Sequence, residues 1–182
     1  MQRALLVLVA ILTLAYPALV YFSQDTLDPQ WVVLVPLMLG LLRLSAGRRD
    51  PMAILLISCA VINAIPVWVV QDDGFLKAYP SLVSLAFLLL FLISLIKPPT
   101  MIERIARAET PDLPPWAIAY TRRVTEIWCL FFLFNGSVAT WTALYASEEV
   151  WLAWTGCISY ILIGVLFAIE WLVRQRLHKR HA

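Results

Sequence analysis

Charge is scarce in this chain. Of its 182 residues only 14% are Asp, Glu, Lys or Arg, where a soluble domain carries about a quarter. Histidine occurs twice, at His178 and His181 in the C-terminal tail, so no apolar segment holds the side chain most used as a neutral-pH base or metal ligand. There is no HExxH, no GxSxG, no P-loop and no glycine-rich nucleotide turn. No acidic pair stands at motif spacing from a nucleophile. The three cysteines, Cys59, Cys129 and Cys157, fall singly inside apolar runs, which indicates neither a disulfide framework nor a metal site; buried apolar packing is their expected role. These absences argue against an enzyme of recognised type, and no cofactor or metal is expected. Nucleic acid is not an expected partner either, because the one basic run, in the tail, is explained by membrane retention.

What fills the chain is apolar. Hydrophobic residues make up 62% and mean hydropathy is +0.81. Six apolar runs cover residues 4–22, 31–46, 52–70, 80–96, 124–146 and 150–173. They are continuous rather than alternating, as helices crossing a bilayer are and barrel strands are not. The expectation is an all-α, polytopic membrane protein with a single integral domain over 1–182. It has six transmembrane helices in three hairpins and a polar connector, 97–123, between the fourth and fifth helices.

Several runs carry local signals. The first has a cleavable signal peptide as its rival reading, but it continues through Tyr16-Pro17-Ala18-Leu19-Val20-Tyr21-Phe22 with no small-x-small site, which favours a retained helix. The second is short, and Arg43 near its end suits a snorkelling anchor. The third holds Asn63 and Pro66. Proline frees a carbonyl and favours a kink; Asn63 is expected to satisfy that backbone or bond to a neighbouring helix, with a substrate contact as the alternative. In the fifth, Asn135-Gly136-Ser137 and Thr140 suggest close helix packing.

Orientation follows from charge. With six crossings and a cytoplasmic start, thirteen of the fourteen basic residues face the cytoplasm and Lys77 alone lies outside, as retention of basic loops requires. The outer turns then hold Asp25, Asp28, Asp72, Asp73, Glu148 and Glu149. Tryptophan is expected to mark the interfaces: Trp31, Trp68, Trp151 and Trp154 outside, Trp116, Trp128 and Trp171 inside.

Two polar groupings stand out. In the connector, Met101, Ile102, Ile105 and Ala108 have helical spacing, with Glu103, Arg104, Arg107 and Glu109 between them. This predicts a short amphipathic helix at the cytoplasmic interface. Lys97, Pro98, Glu103, Arg104, Arg107, Trp116, Arg122 and Arg123 are then candidates for docking a partner or an acidic lipid headgroup, a solvated linker being the alternative. Glu126 follows Arg122 by four residues and Glu170 precedes Arg174 by four. Both read as helical ion pairs, or else as a paired carboxylate site serving proton coupling or a cationic ligand. Asn63, Glu126, Asn135 and Glu170 are thus the intramembrane polar candidates.

Over its last half the chain resembles the bacterial intracellular septation protein family. The likeness is carried by Lys97-Pro98 closing the fourth helix, by Pro99-Thr100-Met101-Ile102-Glu103-Arg104, and by Leu113-Pro114-Pro115-Trp116. It continues through Trp128-Cys129-Leu130-Phe131-Phe132 with Asn135 soon after, and Glu149-Val150-Trp151 opening the last helix. The resemblance implies a small protein of the bacterial inner membrane. Its role would be in envelope biogenesis or septation, as a non-enzymatic scaffold or accessory contacting other membrane proteins. The chain is also similar to six-helix proteins that accompany acyl-carrier and polyene or fatty-acyl synthesis systems, which implies handling or transport of acyl or lipid-linked products. A homo-oligomer is a separate expectation, attached to this transporter or lipid-handling alternative.

A reporter active only outside the cytoplasm should be active when fused after Asp72 and inactive when fused after Arg104. Equal activity at the two positions contradicts six crossings.

Overall fold

In this computed structural model of the chain, the described residues are 15–23, 26–46, 51–70 and 73–181. The start of the first apolar run, Arg3, the turn holding Arg48 and Arg49, and Asp25 and Asp72 lie outside them. Among the described residues every regular element is helical and no strand occurs. The elements are α1 (Tyr16–Ser23), α2 (Pro29–Val32), α3 (Leu34–Ala46), α4 (Pro51–Val70), a 3-10 turn (Asp73–Ala78), α5 (Tyr79–Ile96), α6 (Met101–Glu109), α7 (Pro115–Tyr145), α8 (Glu148–Ala153), a π turn (Trp154–Ile158) and α9 (Ser159–His181).

Proline sets several of these boundaries. Pro29, Pro80 and Pro115 stand in the first two positions of α2, α5 and α7, where a missing N–H costs nothing and the fixed φ suits a helix start. Pro36 cannot donate to the Val32 carbonyl, and the second apolar run is accordingly divided at Val33 into α2 and α3. Pro66 lies inside α4 without ending it. The fifth run is part of a longer helix: α7 begins at Pro115, so the last nine residues of the expected connector are helical, and the helix spans about 46 Å at 1.5 Å per residue.

Two clusters form the core. One gathers Tyr16, Val20, Val32, Cys59, Val67, Leu76, Tyr79 and Trp151. The other gathers Phe91, Val124, Trp128 and Cys129, with Met101, Ile102 and Phe132 against it. The most extensive helix contacts are α5 on α7 and α3 on α4, and each pair meets at a glycine. A Cβ on Gly40 would stand 2.6 Å from Ile57 Cγ1, and one on Gly136 would stand 3.1 Å from Ser84 Cβ.

Trp151 and Trp128 correct the expected tryptophan belts. Trp151 is 0% exposed and Trp128 is buried in the second cluster, whereas Trp31, Trp68, Trp141 and Trp171 are exposed. The Trp151 indole N–H finds its partner within the protein, donating to the Lys77 carbonyl at 3.3 Å, and so needs no headgroup to satisfy it. Beside it, Lys77 Nζ meets Glu148 Oε1 at 2.7 Å. α8 and the 3-10 turn that precedes α5 are thereby joined at one end of the bundle.

The outer surface is apolar. Ile62, Ile65 and Val69 on α4, Leu130, Leu133 and Leu144 on α7, and Ile161, Val165 and Ile169 on α9 all face outward. Exposed apolar surface on this scale marks a membrane or partner-facing protein. Three helical stretches, Phe75–Ile96, Pro115–Tyr145 and Glu148–Leu177, are long and apolar enough to cross a membrane. Pro29–Leu42 and Ile54–Val70 are shorter apolar helices. A membrane is the location that fits this surface.

Candidate functional site

The connector is folded onto the end of the bundle. Ser94 Oγ donates to the Phe91 carbonyl at 2.7 Å and accepts the Met101 N–H at 2.9 Å, tying the start of α6 to the end of α5. Arg122 Nη1 donates to the Leu95 carbonyl at 3.3 Å. Glu103 is buried. Its Oε1 receives Arg107 Nε at 2.9 Å and Nη2 at 2.8 Å, and its Oε2 receives the Thr100 N–H at 3.4 Å. Arg107 Nη1 donates to the Pro111 carbonyl at 3.0 Å.

The buried face of α6 therefore differs from the expected apolar stripe. Met101 and Ile102 pack inward, but Ile105 and Ala108 are exposed. A carboxylate can occupy the inner face because it is ion-paired and hydrogen-bonded there. Among the docking candidates, Glu103 and Arg107 hold the connector together. Arg104 donates through Nε to the Pro99 carbonyl at 2.8 Å and is exposed. Lys97, Pro98, Arg122 and Arg123 are also exposed, and Trp116 is half-buried.

Glu126 and Glu170 each meet an arginine of their own helix. Arg122 Nε lies 3.4 Å from Glu126 Oε1, both side chains being about half exposed. Arg174 Nε lies 3.5 Å from Glu170 Oε1. Tyr120 OH donates to Glu170, at 3.1 Å from its carbonyl and 3.2 Å from Oε1, and so ties α7 to α9. Among the described residues no hydrogen bond or ion pair joins Glu126 to Glu170. Asn63 is buried, and its Nδ2 donates to the Phe75 carbonyl at 2.8 Å. It bonds across to the 3-10 turn, one of the two structural roles expected of it.

The arrangement with chemical capacity lies between α1, α4, α5, α7, the π turn and α9, where a cavity of about 440 Å³ opens. Asn135 crosses its wall: Ser159 Oγ donates to Asn135 Oδ1 at 2.7 Å, and Asn135 Nδ2 donates to Ser84 Oγ at 3.1 Å. One amide thus links α5, α7 and α9. At one end stand Tyr16, Tyr79 and Tyr160; at the other, Phe87, Phe132 and Ile163. The Tyr16 and Tyr79 rings meet edge to face at 4.9 Å, and Phe87 stacks on Phe132 at 5.2 Å. Thr155 lines the cavity from the π turn, its hydroxyl donating to the Trp151 carbonyl at 2.8 Å; such turns are frequent at functional sites. No lining side chain is Asp, Glu, Lys, Arg, His or Cys. The site is suited to holding a mostly apolar molecule by contact with its lining and a few hydrogen bonds.

Sequence reasoning found Asn135 but missed Tyr16, Tyr79, Ser84, Ser159 and Tyr160. Their signal was polar residues interrupting apolar runs. Only the packing of α1, α5 and α9 brings these interruptions together. Cys157, expected to be buried, is exposed on the π turn.

Asn135→Ala and Ser159→Ala, made singly and together, should not destabilise the protein additively. Unfolding in lipid should reveal a coupling of about 0.6 kcal/mol and at most about 1.7 kcal/mol, the range of interhelical hydrogen bonds in membranes. Additive losses contradict the bond.

Comparison with models of protein families, with curated proteins and with solved structures yields no match to this chain.

Proposed function

We propose that this is a lipid-handling protein of the bacterial inner membrane that binds acyl or other lipid-linked molecules without catalysing a reaction on them. The cavity carries this reading. It is mostly apolar, crossed by an amide bonded on both sides, and lined by no Asp, Glu, Lys, Arg, His or Cys side chain. Binding and presentation need only shape and hydrogen bonding; chemistry would need titratable groups positioned against the substrate.

In this reading the chain crosses the membrane six times, in three hairpins, with both termini and the 97–123 connector in the cytoplasm. The placing of polar contacts supports it. Lys77, Glu148 and the Trp151 indole gather at one end of the bundle. The connector, Arg122, Tyr120 and Glu170 gather at the other. The second of these ends carries most of the described basic residues, as cytoplasmic ends do.

A second reading, a scaffold for envelope biogenesis or septation, is favoured by one observation. The Glu103–Arg107 pair holds α6 in place while Arg104, Ile105 and Arg123 remain exposed, which is how a docking platform for another inner-membrane protein would be built. The two readings are compatible, since a lipid carrier must meet the protein that supplies or takes its cargo.

An alkyl diazirine of fatty-acyl length, photolysed in membranes containing the protein, should label the segment around Phe87 and Phe132. Val83→Trp, which fills the cavity, should reduce that labelling to background. Labelling that survives Val83→Trp contradicts the cavity as the binding site.

A further inference from the structure

Away from the cavity, three cations converge on the short segment that leaves α5. Arg122 Nη1 donates to the Leu95 carbonyl at 3.3 Å. Arg104 Nε donates to the Pro99 carbonyl at 2.8 Å. These two carbonyls stand two residues before and two residues after Lys97. The α-carbons of Leu95 and Pro99 are therefore at most about 14 Å apart, even in extended chain. Two helices, α6 and α7, each bring a guanidinium to a segment that already carries an ammonium, and all three residues are exposed.

This corner keeps a positive excess and unused donors. Glu126 meets Arg122 Nε at 3.4 Å and offsets one of the three charges. Glu103 is taken by Arg107. Among the described residues, Lys97 Nζ and the two Nη nitrogens of Arg104 make no hydrogen bond or ion pair. Retention of basic residues on one side of a membrane does not require that they converge.

The last turn of α5 leads apolar surface up to the same corner. Leu92, Ile93 and Ile96 are exposed, Ile96 to 78%, and at spacings of three and four they adjoin one another on the helix. The stretch long and apolar enough to cross a membrane, Phe75–Ile96, ends where the cations begin. An acidic protein segment or a free anion would leave these apolar side chains uncovered. An acidic lipid covers them with its own chains.

We infer that this corner docks the phosphate of an acidic bilayer phospholipid on Lys97, Arg104 and Arg122, with its acyl chains along Leu92, Ile93 and Ile96. Guanidinium groups match phosphate through paired N–H donors and lysine adds a point charge. The inference rests on the connector lying at the membrane surface and not on the cavity as a lipid site. The corner is open to the bilayer, so its lipid exchanges with the bulk and is lost when the protein leaves the membrane.

The test uses the full-length protein in phosphatidylcholine vesicles. Phosphatidylglycerol and phosphatidylcholine probes of matched chains carry a diazirine near the glycerol end, and labelling is read on the peptide holding Leu92 to Ile96. Phosphatidylglycerol should label it at least about fivefold more, as one cation beside an acidic headgroup provides. Lys97→Gln, which breaks no hydrogen bond among the described residues, should cut phosphatidylglycerol labelling about fivefold. Lys97→Gln with Arg104→Gln should bring it to the phosphatidylcholine level. Arg176→Gln, the same charge change on the exposed end of α9, should leave it unchanged, and so should Val83→Trp, which fills the cavity. Equal labelling of the wild type by the two probes, or none by either, overturns the inference. So does an undiminished signal from Lys97→Gln, or an equal loss from Arg176→Gln, which would make the attraction diffuse. Loss in Val83→Trp would place the probe in the cavity and overturns it too. Displacement by excess poly-glutamate or inorganic phosphate at constant ionic strength would make the occupant something other than a lipid. Failure of the cavity to take an acyl probe leaves this inference standing.

Discussion

The Asn135 amide is the interaction on which the middle of this protein depends. Hydrocarbon offers an amide no partner, so Asn135 must find acceptor and donor within the bundle. It does so in two directions at once, taking the Ser159 hydroxyl on Oδ1 and giving an N–H to Ser84. Three long helices are tied at one level by a single side chain. Gly136, one residue on, lets α7 approach Ser84 closely, where a Cβ would stand 3.1 Å away. The junction sets the spacing of α5, α7 and α9, and the cavity is the volume it leaves beside α1 and α4.

The two ends of the bundle are fastened differently. Toward α8, an ion pair between Lys77 and Glu148 and the indole of Trp151 lock the 3-10 turn in place. Toward the connector, the ties are hydrogen bonds from Met101 N–H to Ser94 Oγ, from Arg122 to the Leu95 carbonyl and from Tyr120 to Glu170. Of these acceptors, the Leu95 carbonyl lies in the last turn of α5, where a helix leaves carbonyls without intrahelical partners. Between the ends the outward surface is almost wholly apolar. The interior polar residues therefore join helices to one another rather than serve solubility.

Much of the fold was legible in the residue order. The runs at 52–70 and 80–96 correspond within a residue to α4 and α5, because hydropathy and proline both mark their ends. The start of α7 was less visible, since its first turns, from Pro115 to Arg123, carry the polarity of a loop and only Pro115 at N1 signals a helix. Hydropathy is also blind to which face of a helix is inside. Trp151 and Trp128 read as interface residues and are core; Glu103 reads as a surface charge and is buried because Arg107 neutralises it. The cavity was the least legible feature. Ser84 and Asn135 are 51 residues apart, and Asn135 and Ser159 are 24 apart, so each read alone as an isolated polar residue in an apolar helix.

The proposed link from the amide junction to a held lipid can be measured directly. Native mass spectrometry of the protein released from nanodiscs should find the wild-type chain carrying a lipid-mass adduct. The Asn135→Leu chain, whose helices have lost the bond that spaces them, should carry none. Equal retention by the two chains would contradict the account.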